Sequence, residues 1–124
     1  MGRGSFARGV SRDALKAAGV DMPPPLERET HAAIVKVLRG LGWTVWEMQL
    51  GSQGNGAVYC TKGIPDLYVF RPGAPPVWLE VKREHLGRVS KAQAERHGEL
   101  RLAGIPVRVV TSVSEALAAL PGAP

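Results

Sequence analysis

Residues 77–82 read Val-Trp-Leu-Glu-Val-Lys, and this stretch decides the fold. Apolar side chains occupy every second position, which is the pattern of a β-strand with one face in a core. The aliphatic residues then face the core, and the opposite face carries Trp78, Glu80 and Lys82. A carboxylate and an ammonium group therefore project side by side from one end of this strand.

The segment before this strand predicts its partner. Asp66–Phe70 has the composition of a strand, and the connector Arg71–Pro76 is rich in turn-forming residues. The two strands are therefore expected to pair as an antiparallel hairpin. In that arrangement Asp66 begins its strand at the end nearest Glu80 and Lys82, so two carboxylates and one lysine meet there.

Helical and strand patterns on either side complete an α/β domain with a mixed central sheet flanked by helices. The predicted element order is α-β-β-β-α-β-α. The strand at 77–82 and the strand at 105–111 should be parallel, because a helix connects them in a right-handed crossover. The remaining predicted elements are a helix at 26–41, a strand near 43–48, a loop at 51–56, a helix at 90–103 and a helix at 112–120. Trp43 and Trp46 are predicted to be core residues.

The N-terminal residues 1–25 are expected to form a flexible basic arm, with residues 26–124 as the folded domain. Within the arm, the sequence predicts a short helix from Ser11 to Ala18, since Ser11 can cap its start and Gly19 can end it. The chain as a whole has 16 Lys and Arg against 11 Asp and Glu, a net charge of +5. This excess suits a polyanionic partner but does not establish one.

Composition also predicts the compartment. The single cysteine, Cys60, cannot form an intramolecular disulfide, and no Cys or His spacing suggests zinc. No apolar run approaches the roughly 18 residues that span a bilayer, and the N-terminus lacks the apolar region of a secretory signal. We therefore expect a cytoplasmic, intracellular protein with no membrane association.

The predicted cluster of Asp66, Glu80 and Lys82 suits the hydrolysis of phosphodiester bonds. Carboxylate oxygens are the ligands that Mg²⁺ prefers, and the ion commonly takes only one or two of them. A metal ion can neutralise charge in the transition state and activate a water molecule, while a nearby lysine orients that water or the phosphate. The alternative from these residues alone is a solvated strand face with no catalytic role.

These residues resemble a known pattern. Pro65-Asp66 followed, after thirteen residues, by Glu80-Val81-Lys82 is similar to the PD-(D/E)XK signature of restriction-endonuclease-like nucleases. Three ordered blocks, at 63–67, 78–82 and 87–93, resemble the VRR-NUC family of that superfamily. The resemblance covers roughly residues 26–120 and implies the restriction-endonuclease-like fold.

The resemblance also implies roles for individual residues. Asp66 and Glu80 would bind the metal ion, with the Val81 carbonyl as a further ligand, and Lys82 would be the catalytic lysine. Glu27 would help to hold the metal ion or its water, and Gln93 would support the lysine or the scissile phosphate. A surrounding set could contact nucleic acid: Lys62, Arg83, Arg88, Ser90 and Lys91. The three histidines are expected at the surface or behind the direct ligands.

The function implied is that of a Mg²⁺- or Mn²⁺-dependent endodeoxyribonuclease without a small-molecule cofactor. Standalone members of the family resemble phage-encoded proteins, which would place this chain in a host cytoplasm, and act on branched DNA such as a Holliday junction as homodimers. Two alternatives remain open. One is a non-catalytic nucleic-acid-binding module, such as an accessory subunit of a phage replication or packaging machine. The other is a structural or partner-binding domain whose basic charge is incidental.

Overall fold

The computed structural model describes residues 11–19, 22–48 and 61–122. Predictions for residues 1–10, for the loop at 51–56 and for Cys60 lie outside the described residues. The elements are α1 (Arg12–Ala17), α2 (Glu27–Gly40), β1 (Thr44–Glu47), β2 (Leu67–Arg71), β3 (Ala74–Val81), α3 (Lys91–Leu102), β4 (Val107–Val110) and α4 (Val113–Ala119). No helix in these described ranges is both long enough and apolar enough to cross a membrane.

The four strands form one mixed sheet in the order β1-β2-β3-β4. Strand β2 is antiparallel to both β1 and β3, whereas β4 runs parallel to β3. The predicted hairpin and the predicted parallel pair are both confirmed. The predicted order of elements is confirmed as well, with α1 preceding it where the sequence suggested a short helix. The Ser11 side chain caps α1 by accepting a hydrogen bond from the Ala14 N–H at 3.0 Å.

One face of the sheet carries the hydrophobic core. Helices α2 and α4 pack on this face and against each other. The alternating aliphatic residues of β2 and β3 point into the same layer, and burying each large aliphatic side chain contributes roughly 1.5–3 kcal/mol. The fully buried side chains of this core include Ile34, Leu38, Leu67, Val69, Leu79 and Val81.

The β2–β3 turn is tighter than the sequence pattern indicated. Pro72 and Gly73 occupy the turn, and Arg71 pairs with Ala74 directly across it. Gly73 has a φ of +82°, which the third residue of a Pro-Gly type II turn requires. Strand β3 therefore begins three residues earlier than predicted and includes two prolines. They are tolerated because β4 pairs with β3 only from Trp78 onward, so one edge of the prolines is free.

The opposite face of the sheet carries an aromatic cluster. Trp46, Tyr68, Phe70 and Trp78 contact one another with ring centroids 4.6–5.8 Å apart. Trp43 is buried as predicted, but the core prediction for Trp46 is wrong, since 55% of its surface is exposed. The two tryptophans are three positions apart along an extended segment, so their side chains point to opposite faces.

Candidate active site

The register of the β2–β3 hairpin brings the two predicted carboxylates together. Leu67 pairs with Leu79, which places Asp66 opposite Glu80 at the same end of the sheet. The Asp66 Oδ2 atom accepts a hydrogen bond from the Val81 N–H at 2.7 Å. This contact fixes the aspartate side chain on the backbone of the strand that carries the glutamate.

Glu80 is the centre of the cluster and is only 1% exposed. Helix α3 supplies two contacts: the Gln93 Nε2 donates to Oε2 at 3.1 Å, and the His97 Nε2 lies 3.2 Å from Oε1. The Lys82 Nζ lies 3.9 Å from Oε2. Both carboxylate oxygens are thus held in position, and the predicted lysine and glutamine are within reach of the predicted metal ligand.

Burial and neighbouring carboxylates perturb the ionisation of this glutamate. The pKa of Glu80 is raised from 4.5 to about 8, mainly because burial removes the carboxylate from water and also because of a hydrogen bond with Asp66 and the charge of Asp66. The Lys82 ammonium opposes this effect, and the charge of Glu27 adds to it. The pKa of His97 is lowered, mainly by burial and also by Arg101 and Lys82. Ionising both carboxyl groups is therefore unfavourable in the metal-free site, and a bound cation would favour the doubly ionised form.

The donor set fits a small hard cation. Within the described ranges, no three or more His, Cys, Asp or Glu side chains form a closed metal-binding cluster. Mg²⁺ does not require one, because it keeps several waters and is commonly held by one or two carboxylates. Asp66 and Glu80 provide that pair, and the Val81 carbonyl is the third oxygen implied by the resemblance.

Two glycines allow the loops around the site to pack closely. Gly63 has a φ of +89°, and a Cβ atom built on it would lie 2.4 Å from the Ala92 carbonyl oxygen. The turn before Asp66 therefore rests directly on the first turn of α3. A Cβ atom on Gly87 would lie 2.8 Å from the Lys82 Cβ, so the loop after β3 folds back against the lysine.

Glu27 is the first residue of α2 and is exposed. It lines the same groove as Asp66 and Gln93, so the structure places it at the candidate site. The sequence assigned no contact to any histidine, and the structure places His97 directly behind Glu80. His97 lies one helical turn beyond Gln93, a spacing that places both side chains on one face of α3.

Of the five residues predicted to contact nucleic acid, two make structural contacts within the protein and three are exposed. Arg83 donates to the Pro25 carbonyl at 3.2 Å and to the Pro24 carbonyl at 3.0 Å, so it holds the segment before α2. The Ser90 hydroxyl caps α3 by accepting from the Gln93 N–H at 3.1 Å. The remaining three, Lys62, Arg88 and Lys91, are exposed near the start of α3.

Comparisons with known proteins identify structures of the same fold. A solved structure described as "VRR_NUC domain" is similar to 73% of this chain and 88% of its own length, at 24% identity and a TM-score of 0.57. A second, described as "VRR_NUC domain protein", is similar over 75% of this chain and 83% of its own, at 17% identity and the same TM-score. The sequence matches no family model and no curated protein. The restriction-endonuclease-like fold implied by the sequence resemblance is therefore confirmed.

Proposed function

We propose that the chain is a metal-dependent nuclease of the VRR-NUC type that hydrolyses DNA phosphodiester bonds. One observation carries this proposal: Asp66, Glu80 and Lys82 meet at one end of a hairpin, with the Val81 N–H fixing the aspartate. Two carboxylates and a lysine in this arrangement suit phosphodiester hydrolysis. The fold shared with VRR_NUC domain structures supports the same assignment.

Each residue has a distinct task in this proposal. Asp66 and Glu80 hold Mg²⁺ or Mn²⁺, with the Val81 carbonyl as a third ligand and Glu27 near its water shell. When bound, the metal ion supplies Lewis-acid stabilisation of the phosphate and a water of lowered pKa. Lys82, as an ammonium, would orient the attacking water and neutralise charge on the phosphate. Gln93 keeps Glu80 Oε2 directed towards the site.

Metal binding and cleavage together test this proposal. The chain is titrated with Mn²⁺ by calorimetry, and DNA cleavage is followed with Mg²⁺, Mn²⁺ or EDTA. We expect one or two bound metal ions, cleavage that EDTA abolishes, and loss of both properties in Asp66→Asn. Asp13→Asn, which changes an exposed aspartate of α1, is the matched control and should retain both. Metal binding that survives in Asp66→Asn, or cleavage in EDTA, would contradict the proposal.

The substrate and assembly are a further part of the proposal. We infer that the enzyme selects branched DNA and acts as a homodimer, because two active sites related by a two-fold axis suit paired cuts across a junction. The resemblance to standalone VRR-NUC proteins supports this inference. Light scattering should give twice the mass of the chain, and a four-way junction should be cut faster than its linear duplex. A monomer that cuts both substrates equally would contradict it.

A further inference from the structure

A groove enclosing about 690 Å³ connects the candidate active site with the exposed side of α2. Asp66 and Gln93 line it beside Glu27, the first residue of the helix. Farther along the helix the lining changes in charge, because Lys36 and Arg39 replace the carboxylates. The groove therefore has an acidic end at the proposed metal site and a basic remainder.

The basic side chains follow the helix in a repeating geometry. Arg28 and Arg39 are eleven residues apart, which is close to three turns of an α-helix, so they lie on the same side about 16 Å apart. Lys36 is eight residues from Arg28, about 12 Å along the axis. A nucleic-acid strand carries one negative charge per nucleotide, so a row of cations of this length can contact more than one phosphate of the same strand.

Some of the charged side chains in the groove form ion pairs within the protein, and others do not. Glu47 accepts from His31 at 2.9 Å and lies 3.5 Å from Arg39, so this acidic group is already neutralised. Arg28 and Lys36 are exposed and form no ion pair within the described part of the chain. Two cations are thus available to a ligand, and the Arg39 side chain, 51% exposed, borders them.

We propose that this groove holds the sugar–phosphate backbone of the nucleic acid and directs it to Asp66 and Glu80. Arg28 and Lys36 contact phosphates on one side of the scissile bond, and the exposed Ala32 between them faces the sugars. This inference rests on the proposed nuclease function, because the groove is assigned a substrate through its connection to that site. It moves the main phosphate contacts from the start of α3, where the sequence placed them, to α2.

Binding measured without cleavage tests the groove separately from the nuclease. Lys82→Ala provides the background, and the affinity for a fluorescein-labelled duplex is followed by anisotropy at several salt concentrations. Into this background we introduce Arg28→Gln with Lys36→Gln. The control pair, Lys16→Gln with Arg108→Gln, removes the same charge from exposed positions on α1 and β4.

We expect the groove pair to weaken binding about tenfold and to lower the slope of log affinity against log salt by about 2. The control pair should change neither value appreciably. Equal losses of affinity in the groove pair and the control pair would overturn the proposal, since binding would then depend only on net charge. A third pair, Lys62→Gln with Lys91→Gln, tests the start of α3, and a loss confined to this pair would also overturn it.

The two proposals can fail independently. If the wild-type chain cuts no DNA but the groove pair alone loses binding, the groove stands and the nuclease assignment fails. If the wild-type chain cuts DNA in a metal-dependent way but the groove pair binds normally, the nuclease stands and the groove is wrong.

Discussion

The His97 Nε2 lies 3.2 Å from the Glu80 Oε1, and both residues are at most 2% exposed. Together with Gln93 on the other oxygen, this contact fixes the glutamate from helix α3. A carboxylate held at both oxygens keeps one rotamer, so the proposed metal ligand is oriented before any ion binds. His97 is therefore a positioning residue that acts through Glu80.

Replacing this histidine should weaken metal binding more than it weakens the fold. His97→Leu leaves the Glu80 Oε1 without its partner, and we expect a loss of Mn²⁺ affinity of about 10- to 100-fold. His97→Gln retains an N–H donor and should recover part of that affinity. Calorimetric titration gives the affinities, and thermal unfolding of each metal-free variant gives the stability. If His97→Leu and His97→Gln lost affinity equally, the contact would have no positioning role.

The raised pKa of Glu80 predicts the pH dependence of stability in the metal-free protein. The unfolded chain ionises this carboxyl near 4.5, whereas the folded chain retains the proton up to about 8. Between these values the folded state binds more protons, so stability falls as pH rises and is constant above about 8. The low pKa of His97 has the opposite effect, but only below its ordinary value of 6.5.

Thermal unfolding in EDTA between pH 6.5 and 9 measures the contribution of Glu80 to the pH dependence without that of His97. We expect the wild-type Tm to fall by several degrees up to pH 8 and then to level off. Glu80→Gln should lose this pH dependence, while Glu95→Gln, at an exposed position of α3, should retain it. A wild-type Tm that rises over this interval would show that the carboxyl is ionised at neutral pH.

Gly63→Ala should destabilise the fold by more than the strain of a positive φ alone. An alanine at a positive φ costs about 1–2 kcal/mol of folding free energy. Gly104→Ala measures this cost alone, because Gly104 has a φ of +78° and no atom of the described residues lies within 4 Å of the added Cβ. Gly63→Ala adds a clash with the Ala92 carbonyl, so its Tm should fall clearly further than that of Gly104→Ala. Metal affinity should fall as well, because the turn before Asp66 moves. Equal Tm values for the two variants would contradict the close packing of this turn on α3.

Arg83 should stabilise the fold rather than bind DNA. Its bonds to the Pro24 and Pro25 carbonyls attach the segment before α2 to the loop after β3. Arg83→Gln should therefore increase proteolysis near Pro24 and leave the salt dependence of DNA binding unchanged. Arg88→Gln removes the same charge from an exposed neighbouring position and should not affect proteolysis. A lower salt slope for Arg83→Gln alone would restore the DNA-binding role that the sequence suggested.

The sheet was predictable because its signals are local. Alternation at 77–82, turn-forming residues before it and a helix after it determine both the hairpin and the parallel pair, and hence the approach of Asp66 to Glu80. The early start of β3 was not predictable, because it depends on where β4 begins. The spacing of Trp43 and Trp46 already indicated that only one of them faces the core, but which one depends on the side on which the helices pack. The contact between His97 and Glu80 depends on the rotation of α3. Spacing places His97 with Gln93 but does not show what that face touches.

Cleavage of a labelled four-way junction in Mg²⁺, by the wild-type chain and by Lys82→Met, tests the central claim most directly. Lys16→Met, which removes an exposed lysine from α1, is the matched control. We predict metal-dependent cutting by the wild-type chain and by Lys16→Met, and a rate at least about 100-fold lower for Lys82→Met. Equal rates for wild type and Lys82→Met, or no cutting by a folded, metal-loaded chain, would contradict the account.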